Sequence, residues 1–312
     1  MIRCLSIEEF SKWHATSHAV ESRFIGKEWV DVYRKEVLLI AFGENLIEEV
    51  WMVCNKRKYG FRMAITPPGL PSVGFATAFQ PYDRAARIIE GLTFLRRRGF
   101  HWVHLDFPPE WCEFFQECEG FHRTDKRTYR IRTVALPEAV ETDFSPSTRN
   151  MIHKARRIGL SASESTDVEK SLVLIQNFLY RLGLAHLGDC YSRMLHKLSP
   201  ESLLVVNVTR EEQVLWVGLF LKTRNGLYYM AGARNAHRTE NSANAFGLHF
   251  AIQYARRSGF GFFDFEGSAI PSVEKFFQGF NPARLDYAAY DYQAPVVRWI
   301  KKWKHILWSG KS

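Results

Sequence analysis

The sequence predicts two tandem α/β domains of the α+β type, each a mixed, mostly antiparallel twisted sheet flanked by helices. The chain has 312 residues, and at roughly 150 residues per domain this length is enough for two hydrophobic cores. Each half of the sequence also repeats one order of elements: three strands, a helix, a strand, a helix and a last strand. We therefore predict a duplicated α/β fold.

In the first half, apolar periodicity and turn residues delimit the elements in chain order. Helices are expected near 7–14 and 27–35, and strands at 37–42, 48–55 and 59–65. The Pro-rich loop 66–72 cannot continue a strand. A long amphipathic helix is expected over 81–98, where Gly99 follows a cluster of arginines and is a good helix stop. Strands at 101–106 and 127–134 complete this half.

The second half repeats this order. Strands are expected at 203–209, 214–222 and 227–233, and a helix at 242–257 ends before Gly259. A strand at 260–264, a short helix at 272–277 and a strand at 285–290 follow.

Four landmarks recur in step between the halves. The pairs are Trp51 with Trp216, Gly60 with Gly226, Met63-Ala64 with Met230-Ala231, and Arg97–Phe100 with Arg257–Phe260. The offsets all lie between about 160 and 167 residues, which indicates a duplicated domain. The alternative is chance similarity between two α/β halves.

The domain boundary is expected after the acidic, Pro-containing connector 136–143. Ser145 is a suitable N-cap and Pro146 a suitable first residue for the helix that follows. We predict a first domain at 1–143, a second domain with the active site at 144–295, and a basic amphipathic C-terminal helix at 296–312.

Composition limits the classes of function. The N-terminus is acidic and lacks the apolar core of a signal peptide, and no apolar run approaches the ~20 residues of a spanning helix, so a cytoplasmic location is expected. Five scattered cysteines argue against a disulfide framework. His101 and His104 would face opposite sides of a strand, so no metal site is predicted. The net charge of +9 favours a phosphate-bearing partner, although a plain basic enzyme is the alternative.

Three segments carry candidate functional residues. The helix from residue 149 presents cations beside an apolar stripe, and it is either a phosphate-facing helix or a solvated basic face; its candidates are Arg149, Lys154 and Arg156. The strand ending at 264 delivers two carboxylates to its C-terminal end, where open α/β sheets gather ligands. The candidates there are Asp264, Glu266, Ser268, Lys275 and Phe280. The third segment leads into the helix at 242, whose N-terminal N–H groups could hold a phosphate, with candidates Arg234, Arg238 and Asn241.

These segments resemble the Fem family of peptidoglycan-bridge aminoacyltransferases, which belongs to the GNAT acyltransferase superfamily. The resemblance rests on Thr-Arg-Asn-x-Ile-x-Lys-Ala-x-x-x-Gly at 148–159, Asp-Phe-x-Gly at 264–267 and Phe-x-x-Gly-Phe at 276–280. It implies two GNAT-like domains, with an acyl donor in the gap between the fourth and fifth strands of the second. It also implies amide-forming transfer to an amine of a cell-envelope precursor, with aminoacyl-tRNA or acyl-CoA as donor.

The sequence departs from this family at two places. Where the family's Phe-Lys-x-x-Phe-Gly pattern has a lysine that aids transfer from a tRNA ester, this chain has Phe277, and Asn281 replaces the closing glycine. Lys275 lies two residues earlier, and a helix would point it elsewhere. CoA-dependent relatives have Arg/Gln-x-x-Gly-x-Gly/Ala before the long helix, whereas this chain has Arg238-x-x-Asn241-x-Ala243, in which Asn tolerates left-handed geometry.

Acyl transfer to an amine requires loss of a proton from the amine, stabilisation of an oxyanion and exclusion of water. We assign Asp264 or Glu266 as the base or amine-orienting group, and Tyr229 as the proton donor to the leaving group. Backbone amides of 228–233 are candidates for the oxyanion. Replacing Asp264 or Glu266 by its amide is expected to abolish turnover while the fold survives.

The C-terminal segment 296–312 has Trp and Ile on one helical face and arginine and lysines beside it. Such a helix can lie on an anionic membrane, or it can dock on the protein itself. Two other functions stay open: an aminoacyl-tRNA-dependent transferase, and a non-catalytic module that binds an envelope glycan or lipid precursor.

Overall fold

The computed structural model describes residues 1–17, 19–79, 83–165, 167–235, 240–267 and 270–300. The chain forms two compact units. The first comprises residues 1–126 together with the described residues from Asp286 onward, and the second comprises Arg127–Leu285.

The first unit contains a twisted sheet and its flanking helices. Its elements are β1 (Ile2–Leu5), α1 (Ile7–Thr16), β2 (Glu21–Arg23), α2 (Lys27–Tyr33), β3 (Val37–Phe42), β4 (Glu49–Lys58), β5 (Phe61–Ile65), β6 (Gly74–Thr77), α3 (Arg84–Arg97) and β7 (Trp102–Asp106). The main sheet has the order β1-β3-β4-β5-β7, where β5 and β7 are parallel and the other pairs are antiparallel. Its core contains Trp51, Phe75 and the apolar side of α3.

The second unit has the same design. Its elements are the end of β8 (His122–Arg132), α4 (Pro146–Arg157), β9 (Ser161–Glu164), α5 (Val168–Arg181), α6 (Gly188–Lys197), β10 (Leu203–Arg210), β11 (Gln213–Lys222), β12 (Gly226–Arg234), α7 (Ser242–Arg257), β13 (Phe262–Asp264) and α8 (Pro271–Gln278), followed by the start of β14 (Ala283–Gln293). The sheet has the order β8-β13-β12-β11-β10-β9, and β12 and β13 are parallel. The predicted fold class, two tandem units with mixed, mostly antiparallel sheets, is therefore confirmed.

Local sequence signals fixed several element ends as predicted. Ser145 caps α4 by accepting a hydrogen bond from the backbone N–H of Thr148, with Pro146 as the first helical residue. Helix α7 spans the predicted residues, and Gly259 after it is left-handed, with φ of 76°. Helix α3 begins at Arg84, three residues later than predicted, because Asp83 caps it.

The compact units do not end where the domain boundary was placed. The unit borders lie at 126/127 and 285/286 rather than at 143/144 and 295/296. The reason is strand pairing: residues 130–132 of β8 pair with β13, and residues 289–293 of β14 pair with β7. Each unit therefore takes a sheet strand from the other half of the sequence.

Several elements were missed. No element was predicted between Gly159 and Leu203, where the structure has β9, α5 and α6. Strands β1, β2 and β6 were not predicted either. Of the predicted C-terminal helix, residues 295–300 are helical, and 301–312 lie outside the described residues. Within the described part of the chain, no helix is long and apolar enough to cross a membrane.

Candidate functional site

Strands β12 and β13 separate in the second unit. They pair in parallel only from Gly226 to Tyr228, and β12 then continues to Arg234 along β11 alone within the described residues. The register of β12 against β11 also shifts between Leu219 and Phe220, which leaves Met230 as a bulge without a partner in the ladder. The sheet is thus splayed at the predicted place.

A cavity of about 570 Å³ lies at this gap. Strand β12 and the start of α7 contribute polar and apolar residues, and α5 and α8 contribute mainly apolar ones. The lining residues are Phe178, Arg181, Leu182, Tyr229, Met230, Ala231, Gly232, Arg234, Asn235, Asn244, Ile270, Val273, Phe276 and Phe277. A volume of this size fits a small ligand or one arm of a larger one.

Tyr229 lies in this cavity wall, as its assigned role requires. Its ring packs against Phe220 at 5.4 Å and Phe277 at 6.0 Å between centroids. Burial, with a smaller contribution from Tyr191, raises the pKa of the Tyr229 phenol above its ordinary value. The hydroxyl therefore stays protonated at neutral pH and can act as a proton donor.

The entrance beside α7 is cationic. Arg234 lines the cavity and donates to Asn241 Oδ1 at 2.7 Å, and Arg181 reaches the Arg234 carbonyl at 3.5 Å. Asn241 precedes α7 in a right-handed conformation with φ of −66°, so the expected use of its left-handed tolerance is wrong. Asn244 Oδ1 is buried without a hydrogen-bond partner among the described residues. Arg238 lies outside the described residues.

Asp264 is placed differently from its assigned role. It is 1% exposed and is not among the described residues that line the cavity. Its carboxylate accepts from Arg130 Nε at 2.8 Å, from the Thr128 hydroxyl and from the Glu266 backbone N–H at 2.9 Å. A carboxylate with three donors and a buried ion pair holds β13 against β8.

Glu266 follows two residues later in a left-handed conformation, with φ of 61°. Its side chain is partly buried and lies near Tyr191 on α6, whose phenol pKa is raised by burial first and then by Cys190 and Glu266. Tyr191 in turn makes a smaller contribution than burial to the raised pKa of the Tyr229 phenol. Tyr229 lines the cavity, whereas Glu266 and Tyr191 are not among the described residues that do. Ser268 lies outside the described residues.

The basic helix α4 uses its cations within the protein. Arg149 donates to the Thr142 carbonyl at 3.0 Å, Lys154 pairs with Glu240 at 3.0 Å, and Arg156 pairs with Glu141 at 2.8 Å. None of these three described side chains lines the cavity. These contacts join α4 to the connector before it and to Glu240, which precedes α7. The assignment of the three cations to substrate binding remains a prediction.

The residues predicted to be functional on helix α8 and just after it lie in different surroundings. Phe277, at the place of the family's lysine, is buried and lines the cavity, whereas Lys275 is exposed and points elsewhere, as expected. Phe280 is 1% exposed and packs on Phe144 at 5.1 Å between ring centroids, so its side chain belongs to the core. Asn281 is left-handed with φ of 55°, which explains how it replaces a glycine.

The contribution of α5 to this site was not predicted from the sequence. Phe178 and Arg181 lie on its last turn, and Leu182 follows directly. A signal was present: Leu172, Ile175 and Leu179 have helical spacing, and Asp167 caps the helix by accepting from the Lys170 N–H.

No family model and no curated protein sequence matches the chain. Three solved structures are similar in fold. FemX aligns over 94% of this chain and 97% of its own at 11% identity, with a TM-score of 0.64. The C-terminal domain of a protein assigned as a lysylphosphatidylglycerol synthetase from Agrobacterium fabrum aligns over 94% of both chains at 10% identity, with a TM-score of 0.61. A tandem GNAT protein from the clavulanic acid biosynthesis pathway covers 93% and 97% at 10% identity, with a TM-score of 0.51.

Likeness at this level of identity is a likeness of fold. The predicted resemblance to Fem-type and tandem GNAT proteins is therefore confirmed for the fold over nearly the whole chain.

Proposed function

We propose that this protein is an N-acyltransferase of the GNAT/Fem type, which transfers an acyl group from an activated donor to an amine. The observation that carries the proposal is the separation of β12 from β13 after Tyr228, with a cavity at the gap. A carbonyl placed there meets the edge of β12 beyond its last described pair with β13, and backbone N–H groups fixed at such an edge are suited to a preorganised oxyanion site.

The donor enters along the apolar wall of α5 and α8. Its carrier carries phosphate, because Arg181 and the N-terminus of the 16-residue helix α7 lie on the polar side of the cavity. Asn244 Oδ1 suits an amide N–H of the carrier. Acyl-CoA meets these requirements and is the donor that we propose, and the acceptor is an amine of a cell-envelope precursor or a small molecule.

The chemistry is assigned to three groups. The amine nitrogen attacks the donor carbonyl, and the backbone N–H of Met230 at the bulge stabilises the oxygen that becomes negative. The carbon–sulfur or carbon–oxygen bond to the carrier then breaks, and Tyr229 gives its proton to the leaving group. Glu266, rather than the ion-paired Asp264, orients the amine and takes its proton, directly or through Tyr191.

An aminoacyl-tRNA donor is the second candidate. FemX and the synthetase domain have higher TM-scores here than the tandem GNAT protein does. Against this donor, Phe277 fills the position of the lysine that the resemblance associates with tRNA esters. Salt-sensitive tRNA binding would support it.

A melting screen separates these donors. The intact protein is heated with acetyl-CoA, longer acyl-CoAs, charged tRNA or nucleotide-linked muropeptides, and any stabilising donor is then incubated with amines and assayed for amide product. We expect acyl-CoA to raise the melting temperature, because a ligand of the native state stabilises it by mass action. Stabilisation without turnover for every donor would favour the non-catalytic alternative instead.

Tyr229→Phe tests the assigned proton donor. We expect kcat to fall about 10²-fold or more, because general acid catalysis contributes that much, while the melting temperature stays near that of the wild type since the ring still packs. The matched control is Tyr180→Phe, a hydroxyl on the same unit whose residue is 76% exposed. Equal kcat in wild type and Tyr229→Phe would remove the role.

A further inference from the structure

Trp216 occupies a space made by glycines. The residue is fully buried between β12 and α7, and a Cβ added to Gly218 or Gly247 would overlap its indole ring. A Cβ on Gly232 would overlap the Tyr229 hydroxyl and would come within 2.9 Å of Trp216 Nε1. Gly232 and Tyr229 line the cavity, and the indole N–H lies directly behind Gly232, although Trp216 is not itself a lining residue.

The indole N–H has no hydrogen-bond partner among the described residues. A buried N–H without an acceptor costs about 1–3 kcal/mol in desolvation, so such groups are normally satisfied. This one lies 2.9 Å from the position that a Cβ on Gly232 would take, and Gly232 lines the cavity.

The first unit contains a counterpart whose N–H is satisfied. Trp51 also packs against a helical glycine, since a Cβ on Gly91 would overlap its ring. Its Nε1 donates to the buried carboxylate of Glu49, and Arg84 at the start of α3 pairs with that carboxylate at 2.6 Å. The first unit thus holds its own carboxylate between an indole N–H and a guanidinium.

The described residues of the second unit include the indole and an arginine but no carboxylate that accepts from the indole N–H. Trp216 and Arg234 are direct partners on β11 and β12, so their side chains lie on one face of the sheet. The residue two before Trp216 is Val214, which cannot ionise. A register shift also places Val214 opposite Thr209 and Trp216 opposite Val208, so these two side chains point to opposite faces.

We propose that the substrate supplies the missing group: the cavity binds a free carboxylate of the ligand, with one oxygen accepting from Trp216 Nε1 and Arg234 providing the positive charge. The inference that this carboxylate belongs to a substrate rests on the proposed acyl transfer. It narrows the substrate to one that carries a free carboxylate, as an amino acid or a dicarboxylic acyl group does.

Indole NMR tests the binding directly. The intact protein labelled with ¹⁵N at its nine tryptophan indoles is titrated with glutarate and, separately, with the neutral glutaramide. We expect one indole N–H resonance to move downfield and to saturate with glutarate, because a charge-assisted hydrogen bond forms. Glutaramide should move it much less. Equal responses to the two probes, or a stronger response to inorganic phosphate than to glutarate, would overturn the proposal.

Variants identify the groups. Trp216→Phe should remove the responding resonance. Arg234→Gln should weaken glutarate binding about tenfold or more, whereas Arg234→Lys, which keeps the positive charge, should retain most of the affinity. Arg224→Gln, an exposed arginine outside the cavity lining, is the matched control. If Trp216→Phe does not fold, the titration of the wild-type protein and the comparison of Arg234→Gln with Arg234→Lys still test the proposal. A responding resonance that survives Trp216→Phe contradicts the assignment.

The outcome is separable from that of the proposed function. Glutarate binding is measured without turnover, so binding in a protein that transfers no acyl group would support the carboxylate site and contradict the transferase. Acyl transfer in a protein whose Trp216 resonance ignores carboxylates would do the reverse.

Discussion

At the residue scale, Asp264 and Glu266 are close in sequence but differ in what surrounds them. Asp264 is enclosed by Arg130, Thr128 and a backbone N–H, whereas Glu266 is partly exposed beside Tyr191. The first arrangement stabilises the join between β13 and β8, and the second places a partly exposed carboxylate beside the Tyr191 phenol.

Asp264→Asn should therefore lower stability rather than remove only activity. The substitution removes the carboxylate charge that pairs with Arg130, whose side chain is 10% exposed, and breaking a buried pair in this way costs about 3–5 kcal/mol. Urea unfolding measures the loss, and Glu266→Gln is the control, for which we expect near wild-type stability and reduced turnover. An Asp264→Asn protein of full stability but no turnover would restore the catalytic assignment made from the sequence.

The sequence could place both carboxylates at the end of a buried strand but could not separate their roles. The difference depends on Arg130 and Thr128, which reach Asp264 from more than 130 positions away in the chain. The same limit applies to Phe280, whose aromatic neighbour Phe144 is equally distant in sequence.

At the element scale, α7 is tied to the connector before α4 by a buried histidine. His249 Nε2 lies 3.0 Å from Glu141 Oε2, and Arg156 also binds Glu141. Burial lowers the pKa of His249 below 6.5; Glu141 opposes this, and Arg156 and Arg257 add to it. Burial opposes ionisation of Glu141, but hydrogen bonds from the backbone, Arg156 and His249 lower its pKa to about 2.

Acidification should therefore weaken the second unit. The folded state binds fewer protons than the unfolded state at His249, so stability falls as pH drops below 6.5 towards the folded pKa. Glu141 stays ionised throughout this window, since its contribution is lost only below 4.5. We expect the melting temperature to fall from pH 7 to pH 5, and to fall less in His249→Gln. Parallel losses in the two proteins would exclude His249 as the cause.

Elements with strong local signals were predictable, and those set by pairing were not. Helix α7 and strands β10 to β12 were placed to within two residues from periodicity and turn residues alone. The splay of β12 from β13 followed from the family resemblance and not from local pattern. The bulge at Met230 could not be inferred, because a register shift depends on which residue the partner strand presents.

At the scale of the whole molecule, the two units share a design but differ in whether the site above the central tryptophan is filled. In the first unit Glu49 and Arg84 fill it, and burial raises the pKa of Glu49 against the opposing charge of Arg84. In the second unit the corresponding indole lies behind Gly232, which lines a cavity.

The C-terminal segment gives the last prediction. Residues 295–300 form a helix that buries Val297 beside an apolar groove containing Phe61 and Trp102, so this first part docks on its own unit. Of the predicted apolar face, Val296 is 44% and Trp299 61% exposed, whereas Ile300 lines the same groove as Val297. Continued along the sequence, that face carries Trp303, Ile306 and Leu307 with three lysines beside it.

A helix with exposed apolar residues and flanking lysines should bind an anionic lipid surface, at about 1 kcal/mol for each lysine near the surface. We expect the full chain to float with phosphatidylglycerol liposomes, and a chain ending at residue 300 to float far less. Truncation at 300 keeps Val297 in its groove, so both proteins should melt at the same temperature, and phosphatidylcholine liposomes control for charge. Equal flotation of the two chains would show that the lysine-rich segment does not bind membrane.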